Sequence, residues 1–438
     1  MENYSWGIFR VIEIKPLQVK IDARVRVPGS KSYTNRALVT AALANGTSTV
    51  ANALFSDDTK YMAGGLNALG ISVEERQEDR MFIIQGKNGV IPAKQANLFV
   101  GNAGTAMRFL TAILTLGNGI YEIDGIARMR QRPIQDLLDG LKQLGAEVVS
   151  KYHNGCPPVT VHGEGLPGGQ AIVKGDLSSQ YLSALLMTAP YAKKDVLIEI
   201  KGDLVSKRYV DMTLALMHQF GVNVNNDKYK TFFIKSGQRY KAIPYEVEAD
   251  ASSASYFFAA AAITGGKVRV EGIGRKSLQG DVHFIDVLGR MGCKVTMEDD
   301  WIEVQGNTLR GIDVDMGDMP DVAQTLASVA VFAHGKTRVR NVKNMRIKET
   351  DRIAAVVHEL RRMGIAVKEF EDGFEISPSP PKPAEIETYD DHRMAMSFAL
   401  IGLRANGIFI KNPECVAKTF PGYFQKIEAL RNGYVGLS

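Results

Sequence analysis

The stretch LKQLGAEVVS, residues 141–150, decides how the chain is read. It reads as the end of a helix closing on leucine, then a glycine, then a short β-like run. Glycine just past a helix end fits a left-handed cap. The same reading fits LNALG followed by ISVEE at 66–75, LMHQFG followed by VNVNN at 216–226, and the segments 288–292, 360–364 and 430–433. The glycines fall at 70, 145, 221, 292, 364 and 433, so successive spacings are 75, 76, 71, 72 and 69 residues.

A second series interleaves with the first. A polar cap-like segment, an apolar small-residue helix, a turn and a strand recur at 35–51, 101–123, 178–200, 251–270, 320–339 and 391–410. Turn glycines recur at Gly46, Gly119, Gly266, Gly335 and Gly407, and the third instance uses Lys193 and Lys194 instead. These helices, for example SYFFAAAAITGG and MAMSFALIGL, are apolar all round, as buried helices are. Two interleaved series in matching order predict an α/β chain of six internal repeats, each about 73 residues long. Irregular turns carrying reactive residues speak against a solenoid. Two similar lobes of three units each are expected. KAIPYEVEA, residues 241–249, falls between units three and four and is expected as a crossing strand.

The 438 residues agree with two or three domains at roughly 100–200 residues each. With 45% hydrophobic and 23% charged residues, composition excludes a disordered or low-complexity chain. A net charge of +5 is too weak to imply nucleic acid, yet it allows local basic patches for small anions. Cys156, Cys293 and Cys415 are distant and odd in number, so neither a disulfide framework nor a zinc site is expected. The opening MENYSWGIFR lacks a signal-peptide core. The longest apolar runs, such as 256–264, fall short of the roughly 18 residues a bilayer span needs. A cytoplasmic protein is expected.

Two motifs match only by letter. GEGLPG at 163–168 has the GxGxxG pattern but is followed by a strand-like run, where a dinucleotide site needs a helix. GSKS at 29–32 has the look of a phosphate loop but lacks the required glycines, with Ser30 and Val25 in their places. The seven histidines show no ligand spacing, and no metal is expected.

Chemistry-bearing residues cluster where the apolar helices start. VPGSKSYTNR at 27–36 brings Ser30, Lys31, Ser32 and Arg36 into a helix start, where free N–H groups and the dipole favour anions. GNAGTAMR at 101–108 offers close backbone approach at its glycines, and DLSSQ at 176–180 offers short donors. GIARMRQRP at 125–133 packs Arg128, Arg130 and Arg132 into one loop, and arginine suits bidentate recognition of phosphate or carboxylate. KNMRIKETDR at 343–352 and DDHR at 390–393 pair cations with acids, VAKTF at 416–420 adds Lys418, and Asp321 follows Pro320 at a helix start. Each segment alone also reads as an ordinary cap, solvated face or ion pair. Together they suggest a Lys- and Arg-lined cleft between lobes that holds two anionic small ligands for transfer chemistry, with no cofactor.

Long motifs then carry a resemblance. VPGSKSYTNRAL, LFVGNAGTAMR, DLSSQYLSALLMTAP, IKGDLVSKRYVD, EADASSASYFFAAAAI, KETDR, YDDHRMAMSFAL and AKTFPGYF resemble the 5-enolpyruvylshikimate-3-phosphate synthases (3-phosphoshikimate 1-carboxyvinyltransferases) of the enolpyruvyl transferase family. The resemblance spans residues 16 to about 430. It implies an inside-out α/β arrangement of two lobes, each of three βαβαββ units. Residues 1–25 with 249–438 form one lobe and 26–248 the other, with the active site in the cleft between them. It implies enolpyruvyl transfer from phosphoenolpyruvate to the 5-hydroxyl of shikimate 3-phosphate, with release of phosphate through a non-covalent tetrahedral intermediate. The shikimate pathway of aromatic amino acid (chorismate) biosynthesis is the setting.

Residue by residue, the resemblance implies that shikimate 3-phosphate is held by Lys31, Ser32, Arg36, Ser178, Ser179, Gln180, Ser206, Asp321, Asn344 and Lys348. Phosphoenolpyruvate is held by Lys31, Gly104, Arg128, Gln180, Arg352, Arg393 and Lys418. Asp321 looks like the base, and Glu349 with Lys31 like the proton-handling pair. Glyphosate is the expected inhibitor, with Gly104 leaving room for it, and a monomer is expected. The sister enzyme acting on a UDP-sugar usually carries a reactive cysteine in the loop matching 125–133; this loop has none. A non-catalytic phosphometabolite binder would have lost Lys31, Asp321 or Glu349, and all three are present. A nucleic-acid binder would need a basic stripe with aromatic partners. One departure is Phe109, where the family commonly has proline. It is expected to reduce glyphosate sensitivity modestly, unless it merely fills core space.

Overall fold

Apolar residues alternate with polar ones along strands such as Asp22–Arg26 and Gln95–Phe99, so one face of each is buried and the other open. The helices between them are buried nearly all round: every residue of Gly104–Leu114 and of His392–Gly402 is removed from solvent. The architecture is a mixed α/β fold in which such helices cover several small sheets. It is seen in a computed structural model that describes residues 11–18, 20–175, 178–430 and the strand Tyr434–Val435. The opening residues 1–10, Asp176 of the DLSSQ segment and the sixth repeat glycine, Gly433, lie outside the described residues.

Two compact units divide the chain. One comprises Met1–Val27, Ala249–Ser277 and Asp281–Ser438; the other comprises Pro28–Glu248 with Leu278–Gly280. Sequence reasoning placed Arg26 with residues 27–248. It groups instead, together with Val27, with the discontinuous unit, because Asp22–Arg26 runs parallel to Lys267–Glu271, pairing Arg26 with Glu271.

The continuous unit holds three four-stranded sheets of one topology. Gln95–Phe99 runs parallel to Asn118–Asp124, which pairs antiparallel with Val159–Glu164, and that with Glu147–Ser150. The Gly104–Leu114 helix makes the parallel crossover that such a pair requires. Gly169–Lys174, Val196–Lys201, Thr231–Ile234 and Asn225–Asp227 follow the same order. So do Pro244–Glu246, Asn45–Ala51, Met81–Lys87 and Val73–Arg76, and here the KAIPYEVEA segment supplies the first strand.

The other unit repeats the order in Asp313–Asp315, Thr337–Arg340, Gly373–Ser377 and Ala366–Phe370. Asp22–Arg26, Lys267–Glu271, Trp301–Gln305 and Lys294–Met297 do likewise, with Tyr434–Val435 added at the edge. Its third sheet has three strands, Ala384–Ile386, Ile408–Lys411 and Val11–Ile14. The five described repeat glycines all have positive φ, from 77° at Gly364 to 115° at Gly292, as the left-handed cap demands. Near 265–266 the left-handed residue is Gly265 rather than Gly266.

Each unit has its own core. Phe257, Leu288, Leu326, Phe398 and Phe420 anchor one; Leu38, Phe82, Leu110, Leu185 and Phe232 anchor the other. Fully burying each such side chain contributes about 1.5–3 kcal/mol. These cores fix the helix starts on which the site is built. GEGLPG links two strands, Val159–Glu164 and Gly169–Lys174, and so opens no helix.

Candidate active site

In the discontinuous unit, three helix starts converge on one charged network. Asp351 caps the Arg352–Arg362 helix by accepting from Ala354 N at 3.0 Å, and so fixes Arg352 at its first position. Asp391 caps His392–Gly402 by accepting from Arg393 N at 2.8 Å. The two residues before it, Tyr389 and Asp390, have φ of 55° and 53°, a left-handed backbone that non-glycine residues rarely adopt. Pro320 opens the short turn Pro320–Val322 that carries Asp321.

Arg352 is the hub. Its Nε donates to Asp391 Oδ2 at 2.7 Å, Nη1 to Asp321 Oδ1 at 3.1 Å, and Nη2 to Glu349 Oε2 at 2.8 Å. Burial works against its charge, but Asp391, Glu349 and Asp321 outweigh that and hold its pKa above the ordinary value. Arg393 Nη2 donates to Asp321 Oδ2 at 3.0 Å and to Ser252 Oγ at 3.2 Å. Lys348 Nζ stands 3.7 Å from Asp321, and Lys418 Nζ stands 4.0 Å from Glu349. Asp321 is therefore ringed by three cations, and at 17% side-chain exposure it is the carboxylate of this set most open to solvent beside Glu349 at 7% and Asp391 at 0%. Asn344, on the Lys343–Ile347 turn, has a buried Oδ1 without a hydrogen-bond partner among the described residues.

In the continuous unit, Ser30 caps the Lys31–Leu43 helix, and its carbonyl accepts from Thr34. Lys31 Nζ pairs with the buried Asp58 at 3.2 Å. Arg36, one turn further on, is a buried junction. It donates to Ser32 O (3.1 Å), Thr213 Oγ1 (2.7 Å), Ser183 Oγ (3.2 Å) and Tyr209 O (3.2 Å). Ser32 is on the same helix as Arg36, whereas Ser183 lies on Ser179–Thr188 and Tyr209 and Thr213 lie on Lys207–Gln219, helices whose caps are Ser178 and Ser206. Arg36 thus ties together three helix starts that each carry expected ligands. Four of its five N–H groups are engaged by protein, so it orders these helix starts more than it reaches outward. Burial lowers its pKa to about 10. Ser206 sits at φ 54°, a strained conformation at a helix cap.

Gln180 Nε2 donates to Thr105 Oγ1 at 3.2 Å, next to Gly104 at the start of the Gly104–Leu114 helix. A Cβ at Gly104 would lie 2.6 Å from Arg132 Nη2 and 2.7 Å from Arg108 Nη1. Of the loop arginines, Arg132 is buried against Asn102, Arg130 pairs with Asp124 at the surface, and half-buried Arg128 donates to Gln131 Oε1 at 3.3 Å. Among the described residues, no three His, Cys, Asp or Glu side chains group as metal ligands, and no helix is long and apolar enough to cross a membrane.

The model of the EPSP synthase family, 3-phosphoshikimate 1-carboxyvinyltransferase, matches residues 17–427. The chain belongs to the EPSP synthase family. The 3-phosphoshikimate 1-carboxyvinyltransferase of Trichormus variabilis is 52% identical over 416 residues, covering 95% of this chain and 98% of that one. The enzyme of the same name from Shewanella piezotolerans is 51% identical over 426 residues, covering 96% and 99%. Among solved structures, EPSP synthase from Acinetobacter baumannii superposes with a TM-score of 0.79 at 28% identity, covering 97% of this chain and 98% of that one.

In this EPSP synthase family member, the expected residues fall on both units. Asp321, Lys348, Glu349, Arg352, Arg393 and Lys418 form one connected network, with Asn344 four residues before Lys348. Lys31, Ser32 and Arg36 share one helix, and Gln180 adjoins Gly104 through Thr105. Sequence reasoning missed Asp58, Thr105, Ser252 and Asp281 as neighbours of the charged groups. Only Ser252 and Thr105 lie inside quoted motifs. It also did not separate buried Arg132 from half-buried Arg128 and exposed Arg130.

Proposed function

We infer that this protein is a 3-phosphoshikimate 1-carboxyvinyltransferase. It transfers the enolpyruvyl group of phosphoenolpyruvate to the 5-hydroxyl of shikimate 3-phosphate and releases phosphate, in the biosynthesis of aromatic amino acids. Family membership across 17–427 carries the reading. The network at Arg352 supports it, because a carboxylate held among cations suits proton transfer next to anionic substrates.

The chemistry assigns roles. Protonation of the methylene carbon of phosphoenolpyruvate makes its C2 electrophilic. The 5-hydroxyl attacks that carbon as its proton passes to Asp321. The tetrahedral adduct then expels phosphate. Glu349, between Arg352 and Lys418, and Lys31 handle the other proton. Arg128, Arg352, Arg393 and Lys418 hold phosphoenolpyruvate with Lys31, Gly104 and Gln180. Shikimate 3-phosphate lies against Lys31, Ser32, Ser178, Ser179, Gln180, Ser206, Asn344 and Lys348, with Arg36 bracing three of these helix starts. Fixed cations stabilise charge as it develops during phosphate loss.

The intermediate is non-covalent in this reading. No cysteine is an activated thiolate: burial raises the pKa of Cys293 to about 11 and pushes those of Cys156 and Cys415 upward as well. That disfavours the thiol-bearing UDP-sugar transferase. The finer architecture also belongs to this reading: an inside-out barrel of two lobes, 1–27 with 249–438 and 28–248, each of three repeats, with substrates bound in the cleft between them. So do a monomeric state, a cytoplasmic setting and inhibition by glyphosate. A phosphate-release assay with phosphoenolpyruvate tests the function. Turnover is expected with shikimate 3-phosphate and not with UDP-N-acetylglucosamine; turnover only with the sugar nucleotide, or with neither, overturns it.

A further inference from the structure

We propose that Asp281 is a positioning residue for Arg393, acting through the Ser252 hydroxyl, and that its protonation state sets how strongly Arg393 attracts phosphoenolpyruvate. This rests on the reading above that assigns Arg393 to that substrate. Ser252, on the second residue of the Ala251–Thr264 helix, donates to Asp281 Oδ2 while accepting from Arg393 Nη2. The same Nη2 meets Asp321 Oδ2, Nη1 faces Tyr256 Oη at 3.5 Å, and the Arg393 backbone is pinned by Asp391. Arg393 is thus clamped between a direct carboxylate, Asp321, and an indirect one, Asp281.

Asp281 is buried at 4% exposure, and its Oδ1 has no hydrogen-bond partner among the described residues. Such an oxygen is costly as part of an anion and much less so as part of a neutral acid. The charged groups around it are Asp321 from the Pro320–Val322 turn, Arg393 from the His392–Gly402 helix and Asp250, which caps Ala251–Thr264. On its own turn, Gly280–His283, the histidine points outward to Asp286 at 2.9 Å. Burial first, then the charge of Asp321, raise the Asp281 pKa to about 7, against the pull of Arg393 and the Ser252 hydrogen bond.

The consequence is a coupling. Neutral Asp281 withdraws one counter-charge from Arg393, so more of its field remains for an incoming anion. Ionised Asp281 supplies a second counter-charge and opposes that anion. By linkage, a bound anion raises the Asp281 pKa further, and binding above the free pKa takes up a proton. Asp281 exchanges no proton with substrate.

Steady-state kinetics of the full-length enzyme across about pH 6 to pH 9 test this, with wild type, Asp281→Asn, Ser252→Ala and Arg393→Lys compared for each substrate; dividing by the Asp281→Asn profile removes the substrate phosphate's own ionisation near pH 6. The wild-type KM for phosphoenolpyruvate should climb about tenfold relative to Asp281→Asn, the effect of a one-unit pKa change on binding, while the kcat ratio and the shikimate 3-phosphate KM ratio stay flat. Ser252→Ala should lose the same limb and serves where Asp281→Asn fails to fold. Variants that track wild type at every pH overturn the proposal. Arg393→Lys separates the two levels: an unchanged phosphoenolpyruvate KM overturns the assignment of Arg393 itself. A raised KM together with pH profiles that track wild type in Asp281→Asn and Ser252→Ala overturns only the role of Asp281.

Discussion

Arg352 Nε lies 2.7 Å from Asp391 Oδ2, and both side chains are almost wholly removed from solvent. One carboxylate thereby does two jobs: it aims the guanidinium of Arg352, and it caps the helix that begins with His392 and Arg393. The geometry of Arg352 and Arg393, the two arginines proposed to hold phosphoenolpyruvate, depends on a residue that need not touch substrate.

Asp391→Ala should therefore be among the most damaging changes in this unit. It leaves a buried arginine short of a counterion and removes a helix cap, for a loss of about 3–5 kcal/mol. Asp391→Asn keeps the cap and should lose less. Urea unfolding ranks the variants, and equal midpoints for Asp391→Ala and wild type would contradict the buried pair's role.

Asp321→Asn tests the base. The amide keeps an oxygen toward Arg393 but cannot take the hydroxyl proton, so kcat should fall by about 10²–10⁴. The phosphoenolpyruvate KM should move far less, and downward, because Arg352 keeps Glu349 and Asp391 while Arg393 loses a counter-charge. Near-normal turnover in single-turnover phosphate release would remove Asp321 from that role.

How much of this was legible in the sequence varies with range. Caps are local, so Ser30, Ser178 and Asp391 at their helix starts are readable from adjacent residues, and Gly145 with positive φ follows from the leucine before it. The Arg352 network is partly legible, since Glu349 and Arg352 are three apart on one turn. Asp281 is not. It meets Ser252 from 29 residues away and acts on Arg393 from a third element, and no periodicity encodes that meeting. Likewise RMRQR shows three equivalent arginines, and only packing buries Arg132 while leaving Arg130 at the surface. Arg36 read as an open cation at a helix start; tertiary structure makes it a junction of three helices.

Gly104→Ala should weaken the phosphoenolpyruvate site. The new methyl meets two guanidinium groups that cannot easily retreat, since Arg132 is held by Asn102, and Arg108 by the carbonyls of Gly104 and Pro133. A stability loss of about 1–3 kcal/mol is expected from such overpacking. The KM for phosphoenolpyruvate and the inhibition constant for glyphosate should both rise. An unchanged KM and unfolding midpoint would show that the arginines yield freely.

Phe109 is fully buried, and the Arg36 guanidinium carbon sits 5.3 Å from its ring centroid. It contacts a site residue as well as filling the core. Phe109→Leu keeps apolar volume but removes the π face, worth about 0.5–2 kcal/mol, so the shikimate 3-phosphate KM should rise severalfold. Phe109→Pro alters the Gly104–Leu114 helix itself and should change the glyphosate inhibition constant while phosphoenolpyruvate affinity is largely retained. An unchanged inhibition constant in that variant would end the link to glyphosate.

Asp281 makes a stability prediction independent of its kinetic one. Its folded-state pKa of about 7 lies above an unfolded carboxyl's roughly 3.9, so between those values the folded chain holds the extra proton. Stability should then fall as pH rises from about 4 to about 7, and the deficit should persist above that, on the order of 1–4 kcal/mol. Asp281→Asn carries no titrating group at that position. Relative to wild type it should therefore gain stability progressively across this window. Denaturant midpoints measured at both ends give the difference directly. A wild-type-minus-variant difference that stays constant with pH would mean that Asp281 ionises at an ordinary pKa despite its burial, and would place the origin of any pH-dependent substrate affinity elsewhere.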